Sequence, residues 1–294
     1  MTCAQKQMPR RIPSELYRLI LEKLDSSPTA LHTLLFVSRN LSREAERLLY
    51  RRIEVGDWAI NGRTSSPMSL PKKKREQRIK SQEAMLLGLA RGNRFSAYLL
   101  HLNLAWLGNH CYINDYNVAQ WTHLMPGLAM NCPNLKSLEL PRRHYDAFLP
   151  TPNTCFRLQH FKFHYPDPKT ADTFRTNLRH FLKSQPEIRR LVVSCRWFNL
   201  PKLPPSALPD LHSVTCVPAD CLWLIPGRPV EELVLTAALD DGKLLFDGFG
   251  LLPHLKRLTI SCALSFDKLF WFEKSFVQLK YLFVRMVGRL FLSP

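Results

Sequence analysis

Apolar residues recur at helical spacing near the N-terminus. In the segment "IPSELYRLILEKLDSS" (12–27), Leu16, Leu19, Ile20 and Leu24 fall at i, i+3, i+4 and i+8. This spacing predicts one amphipathic helix over 13–24, with Pro13 at its first position, where a missing N–H costs nothing. The polar residues 25–27 and the proline that follows them end the helix.

The same spacing continues and predicts two more short helices before residue 54. The second helix begins at Pro28 behind the cap residue Ser27, and the third carries charges opposite its apolar face. The apolar residues of the two helices are Leu31, Leu34, Leu35, Val37, Ala45, Leu48 and Leu49. Further apolar residues, Tyr17, Leu21 and Phe36, lie off these faces. About 40 residues bury little apolar surface alone, so this surplus favours packing against other parts of the chain or another protein.

A different pattern, L-x-x-L-x-L in general form, recurs after residue 98. It appears eight times, from "LLHLNL" (99–104) to "LKYLFV" (279–284), and the fourth residue of each copy is taken as its anchor. The anchors are Leu102, Leu138, Phe161, Leu191, Val214, Leu233, Leu258 and Leu282. Successive anchors lie between 19 and 36 residues apart, mostly near the period of a leucine-rich repeat.

The pattern after residue 98 predicts stacked strands, each followed by a return segment. No single unit can bury its apolar face, whereas a stack can. Helical returns are expected at 83–93 and 170–183, and an irregular return is expected at the Pro-rich 199–210. The ending "VRMVGRLFLSP" is apolar, whereas solenoids usually end in a polar cap. Two explanations are open: the chain is shortened relative to its relatives, or a partner covers its C-terminus.

Residues 56–80 between the two patterns contain Gly, Ser and Pro and then a run of cations, and are expected to form a basic linker loop. The run Lys72, Lys73, Lys74 and Arg75 resembles a nuclear-localisation signal, in which adjacent cations on an extended strand suit an acidic receptor groove. A plain solvated linker is the alternative. Nucleic-acid binding has no accompanying motif and is not expected.

Composition narrows the class of protein. The 294 residues carry a net charge of +17, and 46% of them are hydrophobic, as in globular proteins. No apolar run approaches the roughly 18 residues of a membrane helix, and no signal peptide is evident at the start. Eight cysteines form no CxxC pair, which indicates reduced thiols in a cytoplasmic or nuclear protein, with a zinc site as the alternative.

Motifs that carry catalysis are missing. The chain contains no GxSxG, HExxH, P-loop or GxGxxG pattern. His160 and His164 are four residues apart on a strand-like segment, too far apart for easy shared metal ligation. We therefore expect no enzyme activity, no cofactor and no metal.

The N-terminal segment 12–53 resembles an F-box. The family pattern has an apolar-Pro-x-Glu-Leu opening, a Leu-rich second helix running into Val-Ser-Arg, and a closing Leu-aromatic-Arg. The matching residues are Ile12, Pro13, Glu15, Leu16, Ile20, Leu24, Leu34, Val37, Ser38, Arg39, Leu49, Tyr50, Arg51 and Ile53. Leu41 and Tyr50 replace tryptophans that are frequent in the family, and "REAERLLYRRI" is especially similar to fungal F-box proteins.

The resemblance implies a non-catalytic partner role. F-boxes dock on a Skp-family adaptor, which joins them to a cullin ubiquitin ligase. The adaptor-binding residues it implies are Pro13, Leu16, Ile20, Leu24, Leu34 and Val37. The alternative is that these six residues only form a helical core for this chain.

The C-terminal part resembles the degenerate leucine-rich repeats that often follow an F-box. The exposed sheet face of such a horseshoe is the usual ligand surface, and here it leans basic, which favours an acidic or phosphorylated protein target. Its candidate target-binding residues are Lys136, Lys162, Arg189, Arg190, Lys256 and Arg257. A solvated sheet face is the alternative for each of them.

The expected fold class is therefore an α/β repeat, a short three-helix F-box followed by an irregular leucine-rich-repeat solenoid. The expected segments are a tail at 1–11, the F-box at 12–55, the linker at 56–80 and the repeats at 81–294. The expected function is a substrate receptor of a Skp–cullin–F-box ubiquitin ligase. The alternatives are a repeat scaffold with no ligase link and a basic nuclear interaction protein. No membrane partner is expected.

Overall fold

The computed structural model divides the chain into two compact units, Met1–Ile53 and Glu54–Pro294, and each is described by itself. The structure describes residues 13–24, 27–55, 59–60, 63–64, 71–105, 124–140, 149–150, 153–164, 171–194, 203–236, 252–262 and 278–286. The expected tail at 1–11 and the apolar C-terminal segment from 287 lie outside these residues.

The first unit contains three short helices, as the apolar spacing predicts. They are α1 (Ser14–Glu22), α2 (Pro28–Leu34) and α3 (Arg39–Leu49). Pro28 takes the first position of α2, whereas Pro13 lies at the N-cap of α1, one residue earlier than predicted. Ser38 begins α3 because its side chain accepts a hydrogen bond from the backbone N–H of Leu41 at 3.3 Å.

The core of the first unit consists of Leu21, Leu31, Ala45 and Leu48, all buried. The prediction that Leu21 lies off the packed face of α1 is wrong, because Leu21 is completely buried. Five further residues are partly buried and pack around this core: Leu24, Leu34, Leu35, Leu41 and Leu49. The three helices therefore have a small core of their own.

The described part of the chain contains a nine-stranded sheet in an α/β arrangement. Its strands are β1 (Arg52–Glu54), β4 (His101–Asn103), β5 (Ser137–Glu139), β6 (His160–His164), β7 (Arg190–Ser194), β8 (Ser213–Cys216), β9 (Glu232–Thr236), β10 (Arg257–Cys262) and β11 (Tyr281–Met286). The strand order follows the chain, β1-β4-β5-β6-β7-β8-β9-β10-β11, and β4 to β11 pair in parallel. From β4 to β11, each strand thus pairs with the strands that are next to it in sequence.

The register of the sheet confirms the eight predicted anchors. Leu102 pairs with Leu138, Leu138 with Phe161, and the same one-to-one pairing continues through every neighbour as far as Leu258 with Leu282. The anchors from Leu102 to Leu258 are buried. The sheet therefore aligns the repeats by their fourth residue, as expected of an apolar face that a one-residue slip would expose.

Four α-helices and one short 3₁₀ helix (Ser96–Tyr98) accompany the sheet in the described residues. The α-helices are α4 (Lys72–Ala90), α5 (Leu124–Asn131), α6 (Ala171–Lys183) and α7 (Pro218–Leu224). The predicted helix at 170–183 is confirmed, with Phe174, Leu178, Phe181 and Leu182 buried along one side. In the Pro-rich return, residues 203–210 form turns without helix or strand, as expected.

The predicted linker loop at 56–80 is wrong in two places. Helix α4 begins at Lys72 and continues to Ala90, because Lys, Arg, Gln and Glu are good helix formers and no Gly or Pro interrupts the segment until residue 88. Two short strands, β2 (Ala59–Ile60) and β3 (Arg63–Thr64), also pair antiparallel within it. Helix α4 ends at Ala90, and Gly92 just beyond it has a φ of 75°, the left-handed conformation that glycine adopts after a helix end.

Candidate functional site

Helix α1 is apolar on two sides, and only one of them faces the core of the first unit. Leu21 is completely buried, whereas Leu16, Leu19 and Ile20 are 48%, 59% and 55% exposed. The three exposed residues are three and four apart, so they lie together on one face of the helix. Exposed residues Phe36 and Val37 follow at the end of α2.

The structure divides the six predicted adaptor-binding residues into two groups. Pro13, Leu16, Ile20 and Val37 are exposed, whereas Leu24 and Leu34 pack against the core. The alternative that all six only build a helical core is therefore wrong for the exposed four. The exposed face also includes Leu19, and Phe36 confirms the predicted apolar surplus. We call Leu16, Leu19, Ile20, Phe36 and Val37 the exposed apolar set.

The candidate localisation run lies on a helix. Lys72, Lys73, Lys74 and Arg75 are the first four residues of α4, and Lys73 and Lys74 are exposed. The expectation of an extended strand is therefore wrong for this run. Cations at a helix N-terminus oppose the helix dipole, so these residues weaken the first turn that they form.

Each repeat presents three outward positions on the sheet, which are the x positions of L-x-x-L-x-L. At the first two, successive backbone N–H groups donate to a single carbonyl oxygen of the preceding strand. Arg189 and Arg190, for example, both donate to Gln159 at 2.8 and 3.0 Å. The same paired donation recurs at seven strand junctions, from Leu100 as acceptor to Lys280 and Tyr281 as donors. In each of the seven repeats after the first, these backbone bonds place two consecutive residues between buried positions.

A depression of about 310 Å³ lies on this outward face across β5 to β8. Its charged and polar lining comes from Ser137, Glu139, His160, Lys162, Arg190 and Thr215. Lys162 Nζ lies 2.7 Å from Glu139 Oε1, and His164 Nε2 lies 3.8 Å from the same oxygen. Burial alone would raise the pKa of Glu139, but His164 and Lys162 outweigh it and hold the pKa below its usual value.

Burial, with a smaller contribution from Arg190, lowers the pKa of His160 at the rim of this depression. Both effects disfavour the charged imidazolium. His160 and Arg190 are register partners in β6 and β7, so their backbones are about 4.8 Å apart.

All six predicted target-binding residues occupy outward positions. Lys136, Arg189 and Lys256 take the first position, Arg190 and Arg257 the second, and Lys162 the third. Only Lys162 and Arg190 line the depression. Lys136 and Arg189 occupy the first outward position of their repeats and do not line the depression. Lys256 and Arg257 belong to the repeat of β10, which lies beyond the strands that line it.

Cys132, Cys155, Cys216 and Cys221 are free thiols. Cys216 and Cys221 are buried with their Sγ atoms 3.4 Å apart, and this contact together with burial raises the pKa of Cys216 well above its usual value. Burial raises the pKa of Cys132 to about 12, whereas Cys155 is exposed. Among the described residues, no group of three or more His, Cys, Asp or Glu could hold a metal ion.

Within the described ranges, no helix is both long and apolar enough to span a membrane. The chain matches no protein-family model, and the search of curated proteins found no match. Assignment of a function therefore depends on the residues and geometry given above.

Proposed function

We propose that this chain is a substrate-receptor subunit of a Skp–cullin–F-box ubiquitin ligase, in which the first unit is an F-box and the second a leucine-rich-repeat solenoid. The observation that carries the proposal is the exposed apolar set. The first unit already has a core in Leu21, Leu31, Ala45 and Leu48, so Leu16, Ile20 and Val37 are not needed for it. Apolar side chains that a small unit leaves uncovered are typical of a docking surface.

The order of the segments supports the same interpretation. The exposed residues Pro13, Leu16, Ile20 and Val37 are positions at which the sequence resembles the F-box pattern. The eight in-register repeats supply a long row of outward positions, which suits binding of an extended protein target. The role is non-catalytic: the receptor holds the target near a ubiquitin-charged enzyme carried elsewhere in the complex.

The experiment is co-purification of the full chain with a Skp-family adaptor. The parent chain is expected to retain the adaptor, and Leu16→Asp with Ile20→Asp is expected to lose it, because two carboxylates would be desolvated in an apolar contact. A matched control, Thr29→Asp with Asn40→Asp, adds the same two negative charges at exposed positions of the first unit outside the exposed apolar set. Adaptor binding that survives the Leu16 and Ile20 changes contradicts the assignment, and absence of binding by the parent contradicts the ligase link.

A further inference from the structure

Two buried thiols lie next to each other where β8 passes into α7. Cys216 is the last residue of β8, and Cys221 lies within α7. Their Sγ atoms are 3.4 Å apart. Cys216 is completely buried, whereas Cys221 is 6% exposed. Neither the proposed adaptor contact nor the outward face of the sheet involves these thiols.

The path of the backbone brings the two sulfur atoms together. Cys216 follows the buried anchor Val214 by two positions, so it lies on the inner face of the sheet. Val217 is the N-cap of α7 and Pro218 takes its first position, so the helix begins immediately after the strand. The first turn of α7 carries Cys221 back towards the strand, and its thiol donates to the carbonyl oxygen of Val217 at 3.8 Å.

The two ends of α7 are held differently. At the C-terminal end, the guanidinium of Arg228 donates to the carbonyl oxygens of Trp223 and Leu224 at 3.3 and 2.8 Å. At the N-terminal end, the side chain of Val217 gives α7 no capping hydrogen bond. A covalent bond between the thiols would therefore fasten the end of α7 that Arg228 does not reach.

We infer that Cys216 and Cys221 form an oxidation site, at which a hydroperoxide converts the two thiols into a disulfide that fastens α7 to β8. The sulfur atoms of a disulfide are about 2.05 Å apart, so the two Sγ atoms must approach by about 1.4 Å. Rotation of the two side chains and a small backbone shift supply this movement. Within the described ranges no group of three donors includes these thiols, whereas a structural zinc site takes four ligands.

The exposure of the two thiols sets the order of the reaction. The thiolate of Cys221 attacks one oxygen of the hydroperoxide, and the O–O bond breaks. The other oxygen leaves with the proton that Cys221 lost, as water when the oxidant is hydrogen peroxide. The sulfur of Cys216 then attacks the sulfenic acid of Cys221, and the S–O bond breaks to release a second water with the proton of Cys216. The two thiols lose two electrons, which reduce the peroxide.

The surroundings of Cys216 suit the second step. Its contact with Cys221 and its burial raise its pKa, so Cys216 remains a thiol and does not react first. Because its sulfur is held 3.4 Å from that of Cys221, its attack is intramolecular and has a high effective concentration. The sulfenic acid is therefore consumed before a second peroxide can oxidise it to a sulfinic acid.

The inference does not rest on the proposed function, so its test uses the full chain without an adaptor. The chain is treated with hydrogen peroxide until Cys155, an exposed thiol, no longer reacts with N-ethylmaleimide. Catalase then removes the peroxide, and the chain is unfolded, alkylated with N-ethylmaleimide and digested with trypsin. Residues 203–243 form one tryptic peptide, because Pro229 protects the bond after Arg228, and its only cysteines are Cys216 and Cys221.

We expect this peptide to carry no maleimide and to be two hydrogens lighter than the reduced peptide. Dithiothreitol should restore both thiols. Cys221→Ala is expected to lower oxidation of Cys216 at least tenfold, because Cys216 is completely buried and loses the sulfur through which it is oxidised. The matched control Cys155→Ala removes a more accessible thiol and should leave the yield of the bridged peptide unchanged.

Hydrogen exchange measures whether the bridge fastens the helix. In the oxidised chain the amides of α7 should exchange about tenfold more slowly than in the reduced chain, whereas those of α6 should change less than twofold.

Four results would overturn the inference. They are two alkylated thiols in the 203–243 peptide, a sulfinic acid at Cys221 in place of the bridge, equal oxidation of Cys216 with and without Cys221, or a bridge that leaves exchange of α7 unchanged. Adaptor binding is measured separately, and its presence or absence bears only on the proposed function.

Discussion

Leu16 and Leu21 lie five residues apart on α1, yet Leu21 is completely buried and Leu16 is 48% exposed. We expect Leu21→Asp to reduce the free energy of unfolding of the first unit by about 3 kcal/mol or more, because it buries an unpaired carboxylate in a small core. Leu16→Asp is expected to change that free energy by no more than about 0.5 kcal/mol. Hydrogen exchange of the amides of α2 and α3 in the full chain measures both effects. Similar protection in the two variants would contradict this division of α1.

The cations at 72–75, which form the first turn of α4, are expected to promote nuclear import. Changing Lys72, Lys73, Lys74 and Arg75 together to alanine is expected to lower the ratio of nuclear to cytoplasmic fluorescence of a tagged chain. The change does not act by unfolding α4, because alanine favours a helix and removes cations that oppose the helix dipole. Circular dichroism of the variant should therefore show no loss of helix.

A control for the localisation experiment removes the same charge elsewhere. Arg189, Arg190, Lys256 and Arg257, changed together to alanine, also lower the net charge by four but leave α4 intact. We expect this control to keep the parent distribution. If both variants lose nuclear signal to the same extent, net charge rather than the run at 72–75 determines localisation.

The proximity of Arg190 and His160 can be tested through the pKa of His160 in solution. Burial and the charge of Arg190 lower the pKa of His160, in that order of importance. Arg190→Met removes the like charge and should therefore raise the pKa of His160, although burial still holds it below the usual value. Titration of the imidazole ring signals by NMR measures the shift in pKa. Arg257→Met, on β10 and thus three strands from Arg190, serves as the control. An unchanged pKa in the Arg190 variant would show that the two side chains do not face each other.

Arg228 is expected to stabilise the Pro-rich return. Its buried guanidinium donates at 2.8 Å to each of three carbonyl oxygens, those of Ala207, Leu224 and Pro204. We expect Arg228→Leu to lower the free energy of unfolding of the second unit by about 3 kcal/mol, because buried carbonyls lose their donors. The exposed Arg257, changed to leucine, should cost no more than about 1 kcal/mol. Urea unfolding of the two variants tests this difference in free energy, provided that the dependence of the free energy on urea concentration is the same in both.

The sequence allowed the sheet to be predicted well. In L-x-x-L-x-L the burial of an anchor and of the residue two positions later fixes which side of each strand faces inward, and a slip by one residue would reverse it. Leu191 and Val193, for example, are both buried. The eight anchors therefore aligned across the sheet as predicted.

The apolar faces of the first unit were harder to predict. Helix α1 has leucine or isoleucine at 16, 19, 20 and 21, and Leu24 follows its end, so more than one stripe satisfies helical spacing. Which stripe is buried depends on where Leu31, Ala45 and Leu48 pack, and this is a tertiary contact. The start of α4 was missed because its charged residues were interpreted as a linker although they favour a helix.

The charge of the outward face was overestimated from sequence for a related reason. Lys256 is neutralised by Glu231, which lies 25 residues earlier in the chain and meets it only because β9 and β10 are neighbours. Lys162 meets Glu139 across β5 and β6 in the same way. A count of basic residues along a strand contains no information on such partners. Among the residues that the structure describes, Arg189 and Arg190 have no such carboxylate partner, which their sequence positions alone do not show.

The strictly sequential order of the strands has a consequence for how the fold grows and forms. Every parallel pair from β4 to β11 joins segments whose anchors are at most 36 residues apart, so no step of sheet formation requires distant parts of the chain to meet. Lengthening such a sheet by one repeat leaves the entropy of closing each loop unchanged. Gain or loss of a repeat at the end of the sheet would therefore alter the length of the sheet while leaving the remaining junctions intact.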